Sequence, residues 1–384
     1  MIGILLKLIY TRGLSIKRWS NFPRIEDVTP LDNAGYVIHV ALFLAYLEEK
    51  HGKKPVDKEY IIKRVMFDLF KSLVLSDINS GTRDYINKID GEIMTKLEKR
   101  VEEYLFSFEG GEFIKEDMKK ILGATDKKLE NEIILASKKF AGYNECLVNS
   151  RVFLFTYDVA MDQIQDYFDK NKSKLHCLKQ LVNNDDYKKY LGHIRRLSHC
   201  KRWSGRKRNY DVSVMSHLVM VTFISYVLGN LENIEGEANY DVYKLMLRSL
   251  YHDIPEAITG DIITPTKKAI PGFRKVLEEV EKKMMNDYFF VYVGDDYKKM
   301  ITDYMLEPFF GSEGELAKKA DIISAMFEAK IERDTGNPEF NNIYRSIKKD
   351  VNDFSMISCD HFLKEIIMSF EEDYSDLDLG KDVK

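Results

Sequence analysis

Cysteine is scarce in this chain and forms no motif. The four cysteines, Cys146, Cys177, Cys200 and Cys359, are spread widely over 384 residues, and none of them belongs to a C-x-x-C pair. This spacing indicates neither a disulfide framework nor a thiolate zinc site. A reducing compartment, the cytoplasm, is therefore expected.

Proline, glycine and net charge are also low. The chain has 8 prolines, 21 glycines and a net charge of −4, while 45% of its residues are hydrophobic and 31% are charged. This composition is typical of globular proteins rather than of disordered or fibrous ones. Because acids and bases are interspersed, nothing favours nucleic acid or a membrane surface as a partner, and a small-molecule substrate is expected.

Long apolar runs are missing as well. The opening run, Ile2 to Tyr10, is short, is interrupted by Lys7 and lacks a small-residue cleavage site, so it predicts a core helix rather than a signal peptide. The longest run, Val212 to Leu228, contains His217 and falls short of the ~18 uninterrupted apolar residues that a membrane span needs. No transmembrane helix is expected.

Apolar residues recur at helical spacing along the whole chain, for example in the segments 61–73 and 245–254. Spacing of this kind predicts an all-α fold. A length of 384 residues is enough for two domains, each with a core of its own.

A tetrapeptide, Lys-Arg-Trp-Ser, occurs twice and contains both tryptophans of the chain. The copies lie at 17–20 and 201–204, which is 184 positions apart. Each copy is followed by a histidine inside an apolar segment, His39 in the first case and His217 in the second. We interpret this common order as the result of an internal duplication.

Further landmarks repeat at the same distance. The segment 66–72 aligns with 250–256, and Asp77 then falls on Asp261, again 184 positions apart. Collinear landmarks at one offset favour duplication. The alternative is a chance match between two helical segments of similar composition.

The duplication predicts two tandem helical domains of one type. We place their boundary in the polar stretch 171–185, so that the domains comprise residues 1–178 and 179–384. The acidic tail that follows Glu372 is expected to be mobile.

The second copy carries residues that suit a divalent metal. His252 and Asp253 lie near the end of a predicted apolar helix, and Glu256 follows three residues later, which predicts a shared helix face for the two acids. Imidazole together with carboxylate suits Mn, Co, Zn, Fe or Mg. A single His-Asp pair is expected by chance in a chain with 8 histidines, so further ligands are needed.

His217 and Asp321 are the best candidates for these further ligands. Each lies in a predicted helical segment with apolar neighbours, where an unpaired charge would be unfavourable. The alternatives are a hydrogen-bonded core histidine and an ion pair between Asp321 and Lys318 or Lys319.

The order of these four residues resembles the H…HD…D signature of the HD superfamily, whose members hold a divalent metal inside a bundle of helices. The match is closest to the YfbR-like 5′-deoxynucleotidases and covers about residues 190–345. It rests on Arg202-Trp203, on His252-Asp253-Ile-Pro-Glu256-Ala-Ile-Thr-Gly-Asp261-Ile-Ile-Thr-Pro-Thr-Lys267 and on Ala317-Lys-Lys-Ala-Asp321.

The resemblance implies a role for each of these residues. One divalent metal ion, which could be Mn, Co, Mg, Zn or Fe, would be bound by His217, His252, Asp253 and Asp321. Glu256 would position or deprotonate the attacking water. Such a site suits phosphate hydrolysis, because a bound cation polarises phosphoryl oxygens and lowers the pKa of water. The alternative for Glu256 is an exposed carboxylate at a helix end.

Four further residues are candidates for contact with the substrate. Arg202 offers a planar fork that suits phosphate, and Trp203 offers a face that can wall a sugar or a base. The resemblance implies that Asp261 contacts the sugar hydroxyl, and Lys267 is a candidate phosphate ligand. The alternative for Trp203 is a buried core tryptophan, because Trp19 occurs in a half that we expect to be inactive.

The first half has lost the metal pattern. Only His39 and Asp77 survive, and we predict that this half binds no catalytic metal. Asp68 and Leu69 stand in place of His252 and Asp253, and Ser72 stands in place of Glu256. Ala141 falls near the place of Asp321.

YfbR-like enzymes assemble as homodimers, so the resemblance implies that the first half is a built-in partner. The chain would then be an intrachain pseudodimer, itself a monomer or a homodimer. The alternative is a sensor half that keeps a nucleotide pocket around Arg18, Trp19 and Asp77.

The expected function is the hydrolysis of (deoxy)nucleoside monophosphates, so the expected partner is a small-molecule nucleotide substrate. The alternatives are a nucleoside triphosphate or cyclic nucleotide substrate, and a non-catalytic nucleotide-binding regulator.

Overall fold

The computed structural model describes residues 1–75, 78, 80–260, 262, 266 and 269–371. Within these ranges all regular secondary structure is helical, apart from one isolated bridge between Lys201 and Ser213. The predicted all-α class is confirmed. Two predicted substrate residues, Asp261 and Lys267, lie outside the described residues, and so do Asp77 and the tail 372–384.

The first half is built around one long central helix. In chain order its helices are α1 (Ile2–Tyr10), α2 (Arg12–Ser15), α3 (Pro30–Leu47), α4 (Lys58–Leu75), α5 (Ser80–Ile89), α6 (Ile93–Phe106), α7 (Glu112–Leu122), α8 (Lys128–Asn149), α9 (Asp158–Asn171) and α10 (His176–Asn183). The central helix is α3, which packs against α2, α4, α8 and α10. A π-helical turn, Glu48–Gly52, extends it.

The second half has the same plan around its own central helix. Its helices are α11 (Asp185–Arg195), α12 (Val214–Glu235), α13 (Val242–Tyr251), α14 (Glu256–Thr259), α15 (Phe273–Tyr288), α16 (Asp295–Leu306), α17 (Gly311–Asp334), α18 (Phe340–Asn352), α19 (Ile357–His361) and α20 (Ile367–Glu371). The central helix here is α12.

The two central helices begin in the same way. Thr29 caps α3 and accepts a hydrogen bond from the Asp32 N–H, and Ser213 caps α12 and accepts one from the Ser216 N–H. The caps lie 184 positions apart, as the tryptophans do. The Asp32 carboxylate also accepts hydrogen bonds from the Ser213 and Ser216 hydroxyls, so the two helix starts are joined to each other.

Helices α3 and α12 pack against each other at the centre of the molecule. Gly35 permits their close approach, because a Cβ at this position would lie 2.7 Å from Met215 Sδ and 2.9 Å from Val219 Cγ2. Buried side chains of both halves form one continuous hydrophobic core.

Helix α12 is long and apolar enough, by length and composition, to span a membrane. The helix extends over 22 residues and so continues beyond the apolar run that ends at Leu228. However, 94% of its most apolar window is buried inside the protein, against α3, α13 and α17. We interpret it as a core helix.

The first helix of each half packs against the other half as well as against its own. Helix α1 packs against α17 and α20, where the Tyr10 ring stacks on Phe327 with 5.6 Å between centroids. Helix α11 packs against α3 and α10, where the Tyr190 ring lies 5.0 Å from that of Phe43. The predicted domain boundary falls inside α10, and the break between α10 and α11 is at Asn184.

Candidate metal centre

Three helices bring two histidines and two aspartates together in the second half. His217 lies one turn inside α12, His252 and Asp253 follow α13, and Asp321 lies in α17. His217 Nε2 lies 3.1 Å from Asp321 Oδ1 and 3.9 Å from Asp253 Oδ2, and His252 Nε2 lies 3.2 Å from Asp253 Oδ2. Ligand atoms of both histidines and Asp253 lie within 4.8 Å of one another. All four predicted metal ligands therefore meet in one cluster.

The Nδ1 atoms of both imidazole rings point away from the cluster and lie within hydrogen-bond distance of other protein groups. His217 Nδ1 lies 3.0 Å from Glu328 Oε1, and His252 Nδ1 lies 2.7 Å from the Ser249 carbonyl oxygen. Each Nδ1 can therefore donate a proton to its oxygen partner, and in that tautomer each Nε2 would be free to bind a metal at the cluster. His252 Nε2 is buried and has no hydrogen-bond partner in the described part of the chain. This donor set fits a divalent metal.

Both aspartates are held in their ionised forms. Burial alone would raise the pKa of Asp253, but the neighbouring imidazoles and the Arg202 guanidinium lower it well below its usual range. Burial acts on Asp321 in the same direction, and Lys318 and the imidazoles lower its pKa well below the usual range. Lys318 Nζ lies 2.7 Å from Asp321 Oδ2. The ion pair considered as an alternative does form, and it leaves Oδ1 of Asp321 facing His217.

Glu256 lies beyond a break in the helix that precedes the HD pair. Helix α13 ends at Tyr251 and Glu256 begins the separate short helix α14, so the expectation of one shared helix face was wrong. Pro255 has no N–H to donate, which interrupts the helical hydrogen bonds here. A tight turn remains, because the Glu256 N–H donates to the Asp253 carbonyl oxygen at 3.1 Å. Glu256 Oε2 is buried on this turn.

The loop that carries Arg202 and Trp203 contacts the cluster from one side. Arg202 Nη1 lies 3.5 Å from Asp253 Oδ2. Trp203 has a φ of 59°, uncommon for a residue other than glycine, and its indole Nε1 donates to Glu328 Oε2 at 2.7 Å. Its ring packs edge-on against Phe340 at 5.4 Å. Arg202 is thus beside the cluster, whereas Trp203 makes contacts of the kind expected of a half-buried core residue.

A buried carboxylate, Glu328, supports the cluster and was missed by the sequence analysis. It accepts hydrogen bonds from Trp203, Arg208 and His217. Burial alone would raise the pKa of Glu328, but the neighbouring arginines and imidazole hold it well below its usual range. Glu328 follows Asp321 by seven residues, which is two helical turns, so both lie on one face of α17. This spacing was the signal available in the sequence.

The first half repeats the same loop residue by residue. Trp19 has a φ of 56°, and its indole Nε1 donates to Glu145 Oε2 at 2.5 Å. The Arg18 N–H donates to the Val28 carbonyl oxygen at 2.9 Å, and the equivalent bond recurs at 2.9 Å in the second half. The loop and its carboxylate are therefore kept where the metal ligands are lost, which means that they stabilise the fold of each half.

This common register corrects the alignment of the first histidine. Counted from the helix caps, Asn33 and not His39 occupies the position of His217. His39 lies further along α3, fully buried, with its ring edge-on to Tyr251 at 5.0 Å. His39 follows Trp19 by 20 residues and His217 follows Trp203 by 14, so pairing these two histidines requires a longer loop in the first half, whereas the two loops are equal in length. Apolar helix spacing alone cannot detect such a shift.

The last aspartate also has a different counterpart in the first half. Counting back seven residues from the loop carboxylate Glu145 gives Lys138, not Ala141, at the position of Asp321. Lys138 Nζ lies 2.9 Å from Oδ2 of Asp68, the predicted counterpart of the first residue of the HD pair. An ammonium-carboxylate pair therefore fills this position.

A helical core in which two histidines and two aspartates meet in this manner defines the class of HD-type, metal-dependent phosphohydrolases. The chain belongs to the YfbR-like 5′-deoxynucleotidase family, whose sequence model matches residues 9–181 and again residues 189–370. The two successive matches confirm the predicted tandem duplication, and the chain is accordingly a phosphohydrolase.

Similar proteins align with about half of the chain. The 5′-deoxynucleotidase of Photorhabdus laumondii is 25% identical over 195 residues, which are 50% of this chain and 96% of that protein. The 5′-deoxynucleotidase of Pectobacterium atrosepticum is 25% identical over 185 residues, 47% of this chain and 91% of that protein. An HD-domain phosphohydrolase structure from Listeria innocua covers 47% of this chain and 87% of its own, with 27% identity and a TM-score of 0.43.

Proposed function

We propose that the second half removes phosphate from (deoxy)nucleoside 5′-monophosphates with one divalent metal ion, bound by His217, His252, Asp253 and Asp321. The observation that carries this proposal is the orientation of the two imidazoles. Their Nδ1 atoms are tied back to the protein, so both Nε2 atoms face two ionised carboxylates. Membership of the family supports a phosphate monoester as the substrate.

Glu256 is the proposed general base. A bound metal ion would polarise a phosphoryl oxygen and lower the pKa of a water molecule. The buried Oε2 of Glu256 lies on the turn that follows Asp253, where it can take a proton from a water at the cluster. The Arg202 guanidinium interacts electrostatically with the Glu256 carboxylate.

Arg202 is the proposed phosphate ligand. Its Nε lies 3.4 Å from Glu328 Oε1 and its Nη1 lies 3.5 Å from Asp253 Oδ2, so two carboxylates orient the guanidinium beside the cluster. A planar guanidinium can offer a pair of N–H groups to phosphate oxygens. The family resemblance adds Asp261 for the sugar hydroxyl and Trp203 as a wall of the nucleotide site, and Lys267 is a further candidate for phosphate.

The first half is proposed to be a built-in partner, which makes the chain an intrachain pseudodimer. Support comes from the reciprocal packing of α1 and α11 and from the contact of the two central helices. The alternative is a nucleotide sensor, whose candidate residues Arg18 and Trp19 are held by Glu145 in the way that Arg202 and Trp203 are held by Glu328.

Release of phosphate from a panel of nucleotides tests the proposal. Deoxy- and ribonucleoside mono- and triphosphates, together with cyclic nucleotides, are incubated with Mn, Co or Mg ions. Phosphate release from deoxynucleoside monophosphates is expected to fall by at least about 100-fold in Asp253→Ala and Glu256→Ala. The matched controls Leu69→Ala and Ser72→Ala change the equivalent positions of the first half and should keep full activity.

Each other outcome has its own meaning. Products from triphosphates or cyclic nucleotides alone would replace the proposed substrate and keep the site. No product from any nucleotide with any metal would refute the proposal and favour a binding role.

A further inference from the structure

Tyr10, in the first helix of the first half, lies inside the second half. Its side chain is fully buried, and its hydroxyl lies 2.9 Å from Ser324 Oγ and 3.3 Å from the Ser324 carbonyl oxygen. Burial raises the pKa of Tyr10 well above its usual value, so the hydroxyl keeps its proton and can donate it. This is a hydrogen bond between the two halves of the molecule.

Ser324 connects this hydroxyl to the candidate metal centre. Ser324 Oγ lies 3.3 Å from Nδ1 of His217, the atom that also donates to Glu328 at 3.0 Å. When Nε2 of His217 faces a metal, Nδ1 carries the only ring proton, and Ser324 Oγ can only accept from it. A proton donated by Tyr10 to Ser324 Oγ turns an oxygen lone pair toward His217. The hydrogen bonds from Tyr10 to Ser324 and from His217 to Ser324 thus orient the His217 ring on the side away from the metal centre.

The first half provides an internal comparison for this pair. The position equivalent to Tyr10 is Ile194, 184 residues later, and the position equivalent to Ser324 is Ala141, at the separation of 183 that relates the two loop carboxylates. Both Ile194 and Ala141 are buried. In the half that has lost the metal ligands, buried apolar side chains therefore stand at both equivalent positions, so burial there does not require the two hydroxyls.

We propose that Tyr10 is a positioning residue for the metal centre, acting through Ser324 on His217. The metal centre is then built from both halves of the chain, and the first half contributes more than a covering surface. This inference rests on the proposed function, because it assumes that His217 binds a metal.

The test measures Mn²⁺ affinity of the full chain by titration calorimetry and by electron paramagnetic resonance. Groups that orient a metal-ligating histidine contribute about 10–100-fold to affinity, and Tyr10 acts one residue further away. Tyr10→Phe and Ser324→Ala are each expected to weaken Mn²⁺ binding by about 10-fold. The matched control is Tyr190→Phe, which removes another buried tyrosine hydroxyl whose partner is Tyr297.

The double variant decides whether Tyr10 acts through Ser324. In the Ser324→Ala background, Tyr10→Phe should cause no further loss of affinity. Activity supplies a second readout: kcat at low Mn²⁺ should fall in Tyr10→Phe, recover at saturating Mn²⁺, and leave KM for the nucleotide unchanged.

The outcomes that overturn the inference are separate from those that overturn the proposed function. Unchanged Mn²⁺ affinity in Tyr10→Phe, an equal loss in Tyr190→Phe, or additive losses in the double variant would overturn the role of Tyr10 alone. Wild-type protein that binds no Mn²⁺, or binds it as well after Asp253→Ala, would overturn the metal site and the inference together.

Discussion

Lys138 forms an ion pair with Asp68, with 2.9 Å between Nζ and Oδ2. The equivalent residues of the second half are Asp321 and His252, both of which belong to the candidate metal centre. Arg64 binds the other carboxylate oxygen of Asp68 at 3.1 Å. Two side-chain cations therefore supply, in the first half, the positive charge that a metal ion would supply in the second.

Replacing Lys138 with methionine should have a small effect on stability and none on catalysis. The lysine side chain is 42% exposed, so solvent weakens the ion pair, and we expect a loss of about 0.5–1 kcal/mol in the free energy of unfolding. Urea denaturation near pH 7 measures this loss, and phosphate release measures the catalysis. Reduced phosphate release would contradict a passive role for this position.

The pH dependence of the free energy of unfolding of Lys138→Met tests whether its ion pair with Asp68 causes the loss of stability. Burial alone would raise the pKa of Asp68, but Lys138 and Arg64 lower it below its usual value. A carboxylate with a lowered folded-state pKa stabilises the fold above its unfolded pKa of about 3.9 and loses this contribution as the pH falls. The difference between wild type and Lys138→Met should therefore shrink below about pH 4. A constant difference between pH 7 and pH 3 would rule out the ion pair as its source.

Glu145 and Glu328 allow a matched pair of substitutions. Changing either one to glutamine removes a buried anionic acceptor from a tryptophan and an arginine, so each should lower the free energy of unfolding by about 3 kcal/mol. Glu328→Gln also weakens the support of His217, so Mn²⁺ affinity and kcat/KM should fall by about 10–100-fold. Glu145→Gln should leave both unchanged. Equal losses of activity in the two variants would show that lower stability explains the effect.

Local patterns made the fold class and the cluster predictable from sequence. Helical spacing is a property of neighbouring residues, and the HD pair, His217 and Asp321 stand in an order that the family shares. Glu328 was not predicted, because its role depends on a loop that lies more than one hundred residues earlier in the chain. Asn33 was missed because helices of similar apolarity align equally well after a shift, and only the caps set their register.

His39 should make the fold sensitive to acid. Burial lowers the pKa of His39 to about 3, below the value of about 6.5 in an unfolded chain. Between these values the unfolded state binds the proton and the folded state does not, so stability falls as the pH drops below about 6.5. From pH 7.5 to pH 5.5, wild type should lose about 1 kcal/mol more than His39→Leu. Urea denaturation at both pH values measures this, and equal losses would mean that His39 is protonated within the fold.

Gly35→Ala should strain the contact between the central helices. The new Cβ would lie 2.9 Å from Val219 Cγ2, and we expect a loss of about 1–3 kcal/mol in the free energy of unfolding. Val219→Ala in the same chain should recover part of this loss, so the two effects should not add. The control is Gly142→Ala in α8, where a Cβ would meet only Ile164 at 3.7 Å and should not destabilise. Additive losses, or an equal loss in the control, would exclude crowding at α12 as the cause.

Gly35 and Val219 occupy equivalent positions, 184 residues apart, and face each other across the centre of the molecule. In a symmetric dimer a residue on the two-fold axis meets its own copy, so a glycine there would face a glycine. When one gene encodes both halves, the two equivalent positions can carry different residues, as Gly35 and Val219 do. Each mutation is then inherited by one half only, and selection can keep one catalytic site while the other drifts into a scaffold.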